Sequence, residues 1–192
     1  VLGSSGSVIP IFYNQISQGG PVTLTHKEMT RFVMSIEQAV HLVLESSSQA
    51  RGGEVFVTKM PVIRIMDLAQ AMIEELAPLY GYNHKNIKIV EIGTKAGEKL
   101  YEELMSPEET RRAVEMTKYF SVLPAFRGIY HDIDYDYPDT ISDTVTNPYV
   151  SADETILSVA DIKKLLSSYK LLKQPDETSN NRYWPGDKED QA

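Results

Sequence analysis

The sequence has 192 residues, of which 42% are hydrophobic and 24% charged, the balance of a globular protein with one good core and room for a small appendage. A formal net charge of −8 argues against a nucleic-acid-binding surface, which needs a basic face. With no cysteine, disulfides, thiolate metal sites and cysteine nucleophiles are excluded, and no apolar run approaches the length of a membrane span.

Val1 is not a start methionine and no signal peptide follows it, so the chain reads as a fragment whose upstream part is missing. The lack of cysteine fits a reducing compartment, and a cytoplasmic location is expected. Val1 and Leu2 read as the end of a strand, and 3–7 as a loop of small residues. Ser7 is expected to cap a helix over 8–17, with Pro10 near its first turn and Gly19-Gly20-Pro21 ending it. Over 22–36 a short strand, a polar turn and a second strand are expected to pair. Phe32, Met34 and Ile36 alternate there with Arg31, Val33 and Ser35, which is the period of a strand. An arginine held on a strand is a rigid planar fork, suited to a phosphate or carboxylate. Taken alone, Arg31 reads as a surface charge, because most charges are only solvated.

Ser35 and Gln38 spell a capping box that opens a helix with Ile36, Ala39, Val40, Val43 and Leu44 on one face, and Gly52-Gly53 breaks it. The run 54–58 predicts a strand buried on both sides. Residues 64–76 place Ile65, Leu68, Ala69, Met72, Ile73 and Leu76 at helical spacing. A strand over 87–92, a glycine loop over 93–97 and a short helix over 98–105 follow. Ser106, Pro107 and Glu109 signal another helix start, expected to run to 116. Residues 118–122 are strand-like, and 124–147 shift to Tyr, Asp, Pro and Thr without periodicity, an irregular connection. Ser158 caps a last helix over 159–172, and 174–192 is a polar stretch expected to be disordered. The alternation of strands and helices predicts an α/β fold with its sheet incomplete.

Most motif-like features read as structural. Neither 3–6 nor 93–97 has the G-x-G-x-x-G spacing of a dinucleotide turn. Tyr169 and Lys173 match a Tyr-x-x-x-Lys pattern, in which the lysine lowers the phenol pKa. Tyr169, however, belongs to the apolar stripe of the last helix. His131, Asp132, Asp134, Asp136 and Asp139 form an acidic cluster without the spacing or the glycine of a calcium loop, so it reads as a solvated segment. His26, His41 and His84 show no ligand spacing, and no metal site is assigned. The loop 93–98 is richer. It follows a strand, the usual place for ligands in open α/β sheets, and offers Lys95 and Glu98 to a phosphate and a ribose hydroxyl. The plain alternative is a glycine loop with Glu98 against a helix dipole.

Three stretches together, VLGSSGSVIPIF (1–12), PVTLTHKEMTRFVMSIEQAVHLVLE (21–45) and GTKAGEKLYEELMSPEETRRA (93–113), resemble the C-terminal half of extended short-chain dehydrogenase/reductases that modify nucleotide sugars. The closest branch is the polysaccharide-biosynthesis type, the UDP-N-acetylglucosamine 4,6-dehydratases and related 4-epimerases, to which EVFVTKMP (54–61) is also similar. The resemblance covers about 1–122. It implies the substrate-binding part of an NAD(P)-binding Rossmann-type enzyme. Residues 1–122 would be the nucleotide-sugar part, 123–173 an extension with a terminal helix, and 174–192 a tail. NAD or NADP and the catalytic Tyr-x-x-x-Lys would belong to a half preceding Val1, so no catalytic or cofactor-binding residue is assigned in this chain.

Carried over by position, Ser7 and Val8 match the loop-to-helix start that contacts the nucleotide, and Thr23 and Thr25 the strand against the base. Arg31 matches the arginine on the diphosphate, and Glu98 the acid on the uridine ribose. Lys95 stands where the family has arginine in an R-P-G-E-K pattern. The change keeps the charge and loses the bidentate fork. The implied substrate is a UDP-sugar, the implied reaction a 4,6-dehydration or a 4-epimerisation through transient oxidation at sugar C4, and the implied full-length enzyme a homo-oligomer. By itself this fragment is expected to be inactive. The reading from a different class is a non-catalytic nucleotide-binding or interaction domain.

Overall fold

A computed structural model of the protein describes residues 1–3, 7–126 and 128–172. The 3.6-residue period of three helices builds its main core. Helix α1 (Val8–Ser17) buries Ile9, Phe12 and Ile16. Helix α3 (Ile65–Leu76) buries Leu68, Ala69, Met72, Ile73 and Leu76, and α4 (Val159–Ser168) buries Ile162 and Leu166. These side chains meet Val22 and Leu24 of strand β1 (Val22–Leu24) in one cluster. Arg64 precedes α3 and forks onto Asp67, with both bonds at 3.0 Å.

The strands are short and fall into separate small sheets, so the expected α/β class with an incomplete sheet is borne out. The two strands of 22–36 were expected to pair with each other, and they do not. Strand β1 runs parallel to β5 (Ile89–Glu91), with Thr23 opposite Val90. Strand β2 (Thr30–Phe32) instead pairs antiparallel with β4 (Val62–Arg64), with Arg31 opposite Ile63. Val62 and Ile63 of β4 are almost wholly buried.

A four-stranded antiparallel sheet holds β3 (Val55–Thr58), β8 (Tyr119–Val122), β7 (Ala113–Met116) and β9 (Thr140–Ser142) in that order. Strand β3 lies at its edge with Val55 exposed, so it is not the doubly buried strand expected. The doubly buried strand is β8. A small pair, β6 (Glu103–Met105) with β10 (Tyr149–Val150), completes the architecture.

Four further expectations need correction. No helix spans 98–105, where the chain is irregular and then forms β6. The Ser106–Glu109 capping box does form, with the Ser106 N–H donating to Glu109 Oε2 at 2.8 Å. It opens only a 3₁₀ turn (Glu109–Arg112), because Ala113, Val114 and Met116 are worth more buried against β8. The stretch 124–147 is largely irregular but contributes β9 and the buried Tyr137. Helix α4 ends at Ser168, short of the expected 172, while its Ser158 cap is present. Lys173 and the expected tail 174–192 lie outside the described residues.

Helix α2 (Ile36–Gln49) starts with the expected capping box, both reciprocal bonds of which are made. Its apolar face is not a core face among the described residues. Ile36, Val40, Val43 and Leu44 are 52% to 65% exposed, and α2 buries no residue. Periodicity tells which face of a helix is apolar, not what lies over it. Urea unfolding separates the two kinds of stripe. Phe12→Ala should lose about 3–5 kcal/mol through transfer and cavity costs. Leu44→Ser should change stability by no more than about 0.5 kcal/mol. A loss at Leu44 comparable to that at Phe12 would mean the stripe is covered.

Candidate functional site

The N-terminal end of α1, the strands β1 and β2 and the loop 93–98 surround a cavity of about 540 Å³. All seven residues singled out in the sequence, Ser7, Val8, Thr23, Thr25, Arg31, Lys95 and Glu98, line it. Each is placed by a local device. Gly19 and Gly20 adopt φ of +86° and +84°, a region glycine enters freely, and turn the chain from α1 into β1. Gln15 then bridges back across this turn. Its Oε1 accepts the Thr23 N–H at 3.0 Å, and its Nε2 donates to Thr23 Oγ1 at 2.7 Å. Strand β1 is thereby fixed to the first helix.

Gly93 and Gly97, with φ of +88° and +82°, shape the loop after β5, and the Ile92 N–H binds the Leu24 carbonyl at 2.8 Å. Loop and strand lie side by side, so Glu98 reaches Thr25. The Thr25 hydroxyl donates to Glu98 Oε1 at 3.0 Å, and the Lys95 N–H donates to Oε2 at 3.1 Å. Glu98 is not the helix-dipole residue of the plain alternative, because no helix starts there. The Lys95 N–H holds its carboxyl below the ordinary value. Desolvation, next in size, opposes it, and the Thr25 hydroxyl and the positive charges of Arg31 and Lys95 add to the lowering. The Lys95 side chain is exposed.

Arg31 is the most constrained group of the site. Its Nη1 donates to the Thr30 carbonyl and its Nη2 to the Lys99 carbonyl, both at 2.7 Å, and Nε lies 3.3 Å from Glu102 Oε1. A guanidinium has five N–H groups. Two are in hydrogen bonds and Nε faces Glu102, which leaves one N–H free on each terminal nitrogen, the number that a bidentate phosphate contact uses.

Ser7 occupies the N-cap position of α1 with extended backbone, but its hydroxyl makes no cap bond, which corrects the expected role. Its Oγ is buried without a hydrogen-bond partner among the described residues. Such an orphan is uncommon, and this one lies in a cavity wall at a helix N-terminus, where an anion is favoured.

The sequence did not single out the apolar walls, Ile11, Met29, Phe32 and Ile92 among them, nor the supporting Gln15 and Glu102. Ile11 and Ile92 are more than half exposed, an unusual state for large aliphatic side chains beside a cavity. Phe32, next to Arg31, carried the only local signal. Tyr169 lies outside the cavity, where its hydroxyl donates to Gln38 Oε1 at 2.9 Å. In the acidic stretch His131 pairs with Asp132 at 3.0 Å. Among the described residues no group of three or more His, Asp or Glu side chains is arranged to hold a metal ion. No helix among them is long and apolar enough to cross a membrane.

Residues 1–124 match the family model described as polysaccharide biosynthesis protein. The chain belongs to that family. An uncharacterized membrane protein of Methanocaldococcus jannaschii is 45% identical over 172 residues, covering 90% of this chain and 48% of its own length. The capsular polysaccharide biosynthesis protein CapD of Staphylococcus aureus is 52% identical over 110 residues, 57% of this chain and 18% of its own. A UDP-glucose 4-epimerase of Rickettsia akari is 37% identical over 166 residues, 86% of this chain and 46% of its own. Among solved structures, Pen from Bacillus thuringiensis superposes with a TM-score of 0.76 at 38% identity, over 89% of this chain and 48% of that one. The resemblance to the C-terminal part of an extended short-chain dehydrogenase/reductase is borne out. The chain spans about half the length of the M. jannaschii and R. akari relatives and of Pen.

The lowered carboxyl at Glu98 has a measurable consequence. A carboxylate with depressed pKa keeps its charge, and its tie to Thr25, as the pH falls through the ordinary value of 4.5, and loses both only below it. An NMR titration should find the Glu98 midpoint below 4.5, and Thr25→Val should move it up toward that value. A wild-type midpoint at or above 4.5 would contradict the arrangement.

Proposed function

We propose that this chain is the substrate-holding part of an enzyme that modifies nucleotide sugars for polysaccharide synthesis, with 1–122 forming the nucleotide-sugar part and 123–173 an extension. The observation that carries the reading is the convergence of Ser7, Val8, Thr23, Thr25, Arg31, Lys95 and Glu98, from four separate segments, on one cavity around a half-satisfied guanidinium. Arg31 grips the diphosphate through its two remaining N–H groups, with the orphan Ser7 hydroxyl and the start of α1 adding donors. Lys95 neutralises charge without the fork. Glu98, ionised and oriented by Thr25 and the Lys95 backbone, accepts a ribose hydroxyl. Thr23 and Thr25 face the base between apolar walls.

Such residues work by positioning. They hold the nucleotide handle so that the sugar presents one carbon to the reacting groups, and they transfer no proton or hydride. NAD or NADP would supply the hydride chemistry, and its site is assigned to the half of such enzymes that corresponds to residues ahead of Val1. Among the described residues no strand–glycine loop–helix turn of the G-x-G-x-x-G type is present to take it. The finer reading is a UDP-N-acetylglucosamine 4,6-dehydratase. UDP-sugar 4-epimerase is the second reading, and the Rickettsia epimerases, 36% to 37% identical over 86% of the chain, favour it.

Titration with UDP tests the assignment. The wild-type protein should bind UDP, and Arg31→Ala should weaken binding by about 1.5–3 kcal/mol, the worth of hydrogen bonds to a charged group. Lys95→Ala should lose under about 1 kcal/mol, and less at high salt, as an exposed charge does. Equal affinity for wild type and Arg31→Ala removes Arg31 from the site. The 192-residue chain should show no dehydratase or epimerase turnover, and measurable turnover would overturn the division of labour.

A further inference from the structure

Arg31 is held from behind by a residue that the family match does not reach. Ser151 follows β10, beyond the matching residues 1–124, and is fully buried beside Thr30, itself 5% exposed. Among the described residues, every hydrogen-bonding contact of this serine is to one of two residues. Its Oγ lies 2.9 Å from Thr30 Oγ1, donates toward the Thr30 carbonyl at 3.4 Å and accepts the Glu102 N–H at 2.9 Å. Its own N–H donates to the Glu102 carbonyl at 2.9 Å. Thr30 and Glu102 are two of the three residues that engage the Arg31 guanidinium. The third, Lys99, is in the same run as Glu102, and the intervening Leu100 accepts the Thr30 N–H at 2.9 Å.

We propose that Ser151 is a positioning residue for diphosphate recognition. By tying Thr30 to Glu102 it fixes the plane of the Arg31 fork, and so the direction in which the two remaining N–H groups face the cavity. The proposal rests on the UDP reading of the site and deepens it. Tightness toward the diphosphate is set by a segment outside the matched region, acting through buried hydroxyls that touch no ligand. A planar bidentate contact loses one of its bonds when the fork rotates, whereas a nucleoside without phosphate is indifferent to that rotation.

The test compares UDP with uridine by NMR titration of the wild-type protein, Ser151→Ala, Arg31→Ala and the double variant. Thr30→Val, nearly isosteric, breaks the same hydroxyl contact from the other side, and thermal unfolding confirms that each variant folds. Ser151→Ala and Thr30→Val should each weaken UDP binding about tenfold, the loss of one charge-assisted bond. Both should leave uridine binding unchanged. In the Arg31→Ala background, Ser151→Ala should cost nothing further, because its effect passes through Arg31. Equal losses for UDP and uridine, an additive loss in the double variant, or unchanged UDP affinity in both single variants overturns the role of Ser151 while leaving the UDP site intact. If wild type fails to bind UDP, or Arg31→Ala binds it equally well, the UDP reading falls and this proposal falls with it.

Discussion

Arg31 is held by two hydrogen bonds to backbone carbonyls and an ion pair with Glu102, and is not released into solvent as a long flexible charge. That restraint matters because a guanidinium delivers its advantage over an ammonium only when its plane is fixed before the anion arrives. The structure around it supplies that plane. The Thr30 carbonyl belongs to the same strand as Arg31, the Lys99 carbonyl comes from an irregular run, and Glu102 comes from the residue before β6. Strand β2 is only three residues long and would be a poor platform alone, but its pairing with β4 continues directly into α3 and the main core. The rigidity of the site is thus borrowed from α1, α3 and α4.

Local signals and tertiary demands disagree in several places, and the outcomes share a cause. The Ser106–Glu109 box is a genuine helix start, yet only one turn forms, because Ala113, Val114 and Met116 gain more from burial beside β8. A cap is worth about 1 kcal/mol, and burying one large apolar side chain about 1.5–3 kcal/mol, so the sheet wins. Residues 98–105 follow the same rule. Glu98 is drawn to Thr25 and the Lys95 N–H, and the chain beyond it serves Arg31 before pairing with β10. A helix there would have removed both contacts.

The sequence was informative where a feature depends on near neighbours. The capping box at Ser35, the cap at Ser158, the stripes of α1 and α3, the glycine loop at 93–97 and the isolation of Arg31 on a strand are all contained within a few residues. Strand partners were not legible, because β1 to β5 and β2 to β4 join segments tens of residues apart, and three-residue strands carry almost no period. The Gln15 bridge, only eight residues long, and the long-range Ser151 tie were hidden too. A glutamine in a helix and a serine after a short strand have many uses, and only the folded chain shows which is taken. Strand β4 was concealed because Val62-Ile63-Arg64 runs into α3 without a turn residue between them.

Charge completes the physical picture of the cavity. The 192-residue chain carries a formal charge of −8, so its own long-range field opposes an anionic ligand. Near the cavity the two cations Arg31 and Lys95 are offset by the carboxylates Glu98 and Glu102, leaving little net attraction. Under the proposed function, recognition of a diphosphate here therefore rests on direction at short range. The fork of Arg31, the unpartnered Ser7 hydroxyl and the N-terminal end of α1 are oriented donors whose value does not depend on the surrounding field. Glu102 and Glu98 then do more than balance charge. Glu102 lies against the arginine, and under the proposed function Glu98, held ionised by its neighbours, favours a neutral hydroxyl donor over a second phosphate beside it.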